Sequence, residues 1–169
     1  MKRTALIATL TLLSATPAFA HAGHGIASGF LHPFLGWDHL LAMLAVGAWG
    51  ATLGGRAIWV MPATFLSMMI VGGLSGMAGI ELPFVETMIL ASVLVLAGFL
   101  VARVKMPVWS GMAIVGLFAL AHGHAHGTEM PELANAWVYG AGFVAATSLI
   151  HALGAIAAQA VMKAKSAPA

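Results

Sequence analysis

Eight histidines and five carboxylates stand in a chain of 169 residues that is 61% hydrophobic and only 7% charged. Two groups of them have spacings that could do chemistry. The first is His32-Pro33-Phe34-Leu35-Gly36-Trp37-Asp38-His39, which leads into an apolar stretch through Met43. At 100° per residue, His32, Gly36, His39 and Met43 share one helical face, and Asp38 sits one step around it. Gly36 leaves a notch between the two imidazoles. On a regular helix, His32 and His39 lie about 10 Å apart along the axis, a spacing for successive stations rather than joint ligands of one ion. Asp38 then lies about 9 Å deeper than His32. An ionisable group at such depth needs a partner or a wet cavity. The bland alternative is an Asp38 that only hydrogen-bonds a neighbouring helix.

The second group is His122-Gly123-His124-Ala125-His126-Gly127-Thr128-Glu129. His122 and His126 are four apart and share a helical face, and Glu129 follows three residues later. His124 points elsewhere unless Gly123 or Gly127 bends the backbone. Three imidazoles and a carboxylate suit a borderline divalent cation such as nickel, copper, cobalt or zinc. An accidental histidine-rich loop is the competing explanation.

Other histidines carry weaker signals. His151 lies deep in a later apolar stretch, either a second station or a ring satisfied by Thr147 one turn earlier. His21 and His24 could form a weak capture element at a mature N-terminus. The methionines read mainly as lipid-facing filler, with only Met43 on the histidine stripe. With no cysteine in the chain, disulfides, thiolate metal sites and iron–sulfur clusters are excluded. Seven scattered Lys and Arg make no nucleic-acid patch.

The elements that must position these groups are transmembrane helices. Soluble domains carry about 25% charged residues, far above this chain. Lys2 and Arg3, an apolar run from Ala5 to Leu13 and the ending Ala18-Phe19-Ala20 have the order of a cleavable signal peptide over residues 1–20. The remaining 21–169 reads as one domain, an all-α polytopic bundle of five spans at about 30–53, 57–79, 83–102, 107–125 and 135–162. Its N-terminus is expected outside and its C-terminus in the cytoplasm. Arg56, Arg103, Lys105, Lys163 and Lys165 then all face inward, as the positive-inside rule requires. Asp38, Glu81, Glu86, Glu129 and Glu132 fall in the outer half, by chance or as a cation-attracting vestibule. Small residues at Gly72, Gly76 and Gly79, at Gly47 and Ala51, and at Gly154 and Ala158 predict close helix contacts. His39 and His122 come out within a few ångströms of one level, so Asp38, His39, His122 and His126 could enclose one site.

These residues resemble the HupE/UreJ family of small integral membrane proteins. The likeness rests on His32-Pro33-x-x-Gly36-x-Asp38-His39 with Met43 and Gly47, and on His122-Gly123-His124-Ala125-His126-Gly127-x-Glu129. Signal peptide, span count and length fit as well. The resemblance implies transport of nickel, with cobalt as second candidate, across the bacterial inner membrane to supply a hydrogenase or urease. It implies metal roles for His32, Asp38, His39, His122, His124, His126 and Glu129. Nickel is the cargo, no organic cofactor is expected, and the chain is read as a non-enzyme. The partners are the lipid bilayer and the cation. Five helices are few for alternating access by inverted repeats, so a homo-oligomer or a channel-like path fits. Three rivals use the same residues. They are an accessory or sensor protein that binds metal without moving it, a haem b carrier ligated by His39 and His122, and a zinc hydrolase drawing on Ser67 or Ser75.

Overall fold

The computed structural model describes residues 25–130 and 135–166, and the regular structure among them is entirely helical. α1 spans Ile26–Leu31 and runs into a 3-10 turn at His32–Phe34. α2 follows at Trp37–Leu53, α3 at Ala57–Met77, α4 at Val85–Val101, α5 at Val108–Thr128 and α6 at Ala136–Ser166. The expected signal peptide, with His21, His24 and Glu132, lies outside the described residues. By length and composition, α3, α5 and α6 can each cross a membrane. At 17 residues, α4 is shorter, about 26 Å at helical rise.

The first apolar segment departs from expectation. It is not one regular helix from Phe30 onward but a pair of helices bent by 84° between Phe34 and Trp37. Pro33 is the cause on one side, because it has no N–H and its ring clashes with the preceding turn. The chain tightens there into the 3-10 turn, closed by the Leu35 N–H on the His32 carbonyl at 3.0 Å. Gly36 then takes an extended conformation and starts α2 as its N-cap. Asp38 stabilises the restart: its carboxylate accepts the His39 backbone N–H at 2.8 Å, and an anion in the first turn complements the helix dipole.

Glycines set the packing. A Cβ at Gly72 or Gly76 of α3 would collide with the carbonyl oxygens of Leu120 or His124, and one at Gly123 or Gly127 of α5 with those of Met69 or Gly73. Gly47 of α2 and Gly154 of α6 meet the carbonyls of His151 and Leu44 in the same reciprocal way. Each missing side chain makes room for the other helix's backbone, which is how helices approach closely where lipid supplies no hydrophobic force. Gly79, expected on this stripe, instead follows the end of α3 in a left-handed turn with φ of 71°, where an added Cβ would meet open space.

Trp49, Phe65, Met43, Met61, Leu96, Val115 and Ile150 fill the centre. Met61 and Met69 are buried there with Met43, so Met61 and Met69 are core packing rather than the lipid-facing filler expected. An unbranched thioether side chain fills such irregular gaps readily.

Candidate metal centre

The glycines of the second histidine group do not bend α5. Gly123 and Gly127 share one face and lock it against α3. His122 and His126 are each one residue earlier, so they present on the neighbouring face, turned toward the 3-10 turn and α2. His124 is carried away with the helix. Its Nε2–H donates to the Ile80 carbonyl at 2.7 Å, and the ring anchors the turn after α3. The convergence of all three histidines that a bend would permit therefore does not occur.

The broken first segment supplies the other side. Because the chain turns between them, His32 and His39 are not stacked stations on one helix. Both rings rest on the same partner: the His32 and His126 rings are 4.8 Å apart, and the His39 and His126 rings 4.4 Å. His39 also lies 5.0 Å from His122. Four imidazoles thus meet at the junction of the 3-10 turn, α2 and α5.

Their hydrogen bonds decide which nitrogens are free. His39 Nδ1–H donates to the Asp38 carboxylate at 2.8 Å, and His122 Nδ1–H donates to the Phe118 carbonyl at 2.9 Å. In a neutral imidazole with a protonated Nδ1, Nε2 carries the lone pair. The Nε2 atoms of His39, His122 and His126 are buried with no hydrogen-bond partner among the described residues. An oxygen acceptor behind the ring and a bare Nε2 in front is how proteins prepare histidine for a metal. Gly36 belongs to this arrangement, since a Cβ there would sit 3.0 Å from His39 Nδ1 and 3.1 Å from Asp38 Oδ1.

A second group adjoins the first. His32 Nε2 lies 3.0 Å from His126 Nδ1 and 3.9 Å from a Glu129 oxygen. One ligand atom from each of His32, His126 and Glu129 lies within 4.8 Å of the other two. His126 belongs to both groups, Nδ1 toward His32 and Nε2 unpartnered. Partial desolvation pushes the Glu129 carboxyl up although the side chain remains largely open to solvent; His39 opposes this, while Glu86 and Asp38 reinforce it. Side-chain exposure falls from 59% at Glu129 to 26% at His32 and 14% at His39, and His122 is fully buried.

His151 lies apart from the four rings, with the Phe65 ring between it and His122, at 5.1 Å and 5.6 Å respectively. Thr147 does not satisfy it: both His151 nitrogens and the Thr147 hydroxyl are buried without partners among the described residues. Met43, expected on the histidine stripe, is buried in the apolar core. Three aromatic residues escaped the reading of the sequence. Phe65 separates His122 from His151, Phe143 packs 4.4 Å from His126, and Tyr139 lies 5.9 Å from His32 with its buried hydroxyl unpartnered. Nothing in their spacing distinguishes them from ordinary packing residues.

Comparison with known proteins bears on this arrangement. Residues 8–169 match the model of the family described as HupE / UreJ protein. The chain is 46% identical over 159 residues to Protein HupE of Rhizobium leguminosarum bv. viciae, covering 91% of this chain and 83% of that one. No solved structure matches.

Proposed function

The chain belongs to the HupE/UreJ family, and from that premise we propose that it carries a divalent transition-metal cation, nickel first and cobalt second, across the bacterial inner membrane. The family is associated with nickel and cobalt uptake and with hydrogenase and urease maturation. The observation that carries the reading is the set of three buried, partnerless Nε2 atoms on touching rings. A buried nitrogen without a hydrogen bond is costly, and a passing cation offsets that cost. Imidazole with carboxylate also matches the borderline character of nickel and cobalt.

In this reading the chain crosses the membrane five times and the histidine-rich end faces outward. Glu129 and Asp38, both well exposed, draw in the hydrated ion. His32, His126 and Glu129 replace part of its water. His126 then hands it from its Nδ1 side to its Nε2 side as the ring proton moves from Nε2 to Nδ1, and His39 and His122 wait there. Asp38 orients His39 and raises its basicity through Nδ1, and the Phe118 carbonyl does the same for His122. His151 is the next station inward, beyond Phe65. A membrane potential negative inside favours each positive charge by about 2.3 kcal/mol per 100 mV. His124 serves the site by holding the turn at Ile80.

A haem between His39 and His122 would need a slot for the macrocycle between its axial rings. Those two rings are 5.0 Å apart, and His126 packs on His39, so the contacts favour an ion. The test is nickel flux into sealed vesicles holding the purified chain and a trapped metal indicator, under an inside-negative potential. Flux is expected for the native chain, none for His39→Ala or His122→Ala, and a strongly reduced one for Asp38→Ala. Native flux in all three variants removes the site. Nickel binding with no flux in the native chain replaces transport with the accessory role.

A further inference from the structure

Along one flank of the bundle, α4 and α6 both pack on α2 and make no contact with each other. Between them runs a groove of about 800 Å³. Its floor is Leu41, Leu44, Ala45 and Ala48 of α2, and its walls include Val93 and Ala97 of α4 and Ala157 and Val161 of α6. From Leu41 to Thr52 the floor is about 17 Å long at helical rise, the depth of one leaflet in a hydrocarbon core of about 30 Å. One end of the groove is not apolar. Arg103, Lys105 and Lys165 line it there, beside Thr52 and Ser166. All three cations are exposed, and no carboxylate pairs with them among the described residues.

The backbone adds a further sign. Arg103 sits in the left-handed region, with φ of 51°, where glycine would be the undemanding choice. A guanidinium is held at the mouth against that local preference. Lys105 is fixed across the floor by donating to the Thr52 carbonyl.

We propose that this groove holds one anionic phospholipid. Its acyl chain lies along α2 between α4 and α6, and its phosphate sits among Arg103, Lys105 and Lys165. Apolar walls one leaflet deep, ending in clustered cations, match a molecule with a long hydrocarbon tail and a negative head. A second copy of the chain fits less well. A twofold contact brings the same patch of both copies together, and here it would press unpaired cations against each other.

The test is native mass spectrometry of the full chain in detergent, titrated with phosphatidylglycerol or with phosphatidylcholine of the same acyl composition. A single phosphatidylglycerol adduct is expected, with phosphatidylcholine bound about tenfold more weakly or less. Arg103→Gln with Lys165→Gln should weaken the phosphatidylglycerol adduct by about tenfold or more, as loss of two cations beside an anionic head implies. These two residues are exposed and outside the core, so helicity by circular dichroism should stay unchanged. Ala97→Leu, which fills the groove from α4, should exclude both lipids. Equal affinity for the two lipids, or undiminished phosphatidylglycerol binding by the double variant, overturns the proposal. So does displacement of the lipid by millimolar inorganic phosphate, or a protein dimer that forms in place of the adduct.

Discussion

The two ends of this bundle treat charge in opposite ways. At one end, polar groups are drawn inside: His122 is wholly buried and His126 nearly so, in surroundings built by glycine-close helices and the Phe65 and Phe143 rings. At the other, Arg103, Lys105 and Lys165 stay at the surface beside an apolar groove. Imidazole can be buried because its neutral form needs only one acceptor at Nδ1, and both His39 and His122 have one. Guanidinium and ammonium have no neutral form of comparable ease, so they stay where headgroups and water can reach them. The buried imidazoles can select a borderline cation; the exposed cations at the other end can only meet an anion.

Removing the shared ring should break this contrast most completely. His126 belongs to both ligand groups, so His126→Ala should abolish nickel uptake, read as accumulated radioactive nickel in cells, with the protein still inserted. Asp38→Ala should come next. Loss of a carboxylate behind a ligating histidine costs about 10–100-fold in metal affinity or activity, and nickel titration of the purified chain would measure it. Native affinity in that variant would mean His39 needs no orienting partner.

Packing at the histidine end gives the third effect. Gly123→Leu forces α5 away from α3 and turns His122 and His126 off their partners. Overpacking typically costs about 1–3 kcal/mol, so thermal unfolding in detergent should shift down and uptake should fall with it. Acidity offers a gentler probe. Ligating imidazoles must be unprotonated, so uptake should decline from pH 8 toward pH 5. The Glu129 carboxyl, raised by partial desolvation, gains its proton at higher pH than an ordinary glutamate. Its negative charge is thus lost earlier as the pH falls, and Glu129→Gln should flatten the acidic part of the profile. An identical profile in that variant would assign the whole decline to histidine.

The smallest effect should come from His124. Its single bond to Ile80 is worth about 1 kcal/mol net. His124→Ala should lower thermal stability slightly and leave uptake near native. A large loss of uptake would return His124 to the ligand set.

Much of this was legible in the chain itself. Scarce charge and long apolar stretches call for membrane helices whatever the neighbours. The spacing of Gly72 with Gly76 foretells close contact, and the carbonyls of Leu120 and His124 stand where it is expected. The meeting of His39 with His122 was expected from helical rise along an unbroken first helix, and the structure reaches it by another route, across the 84° bend. Other features were beyond its reach. Pro33 and Gly36 permit a break without specifying one, and the 84° bend that sets His32 against His126 depends on α6 packing over α1. Gly123 and Gly127 serve equally as hinges or as contact points, and only the carbonyls of α3 decide between them. Phe65 is one apolar residue among many until His122 and His151 are found on either side of it. Sequence settles what each residue can donate, accept or hide from water, because those are properties of the residue. Which lone pairs are left bare, and which face one another, depends on distances between helices far apart in the chain, and only packing sets those.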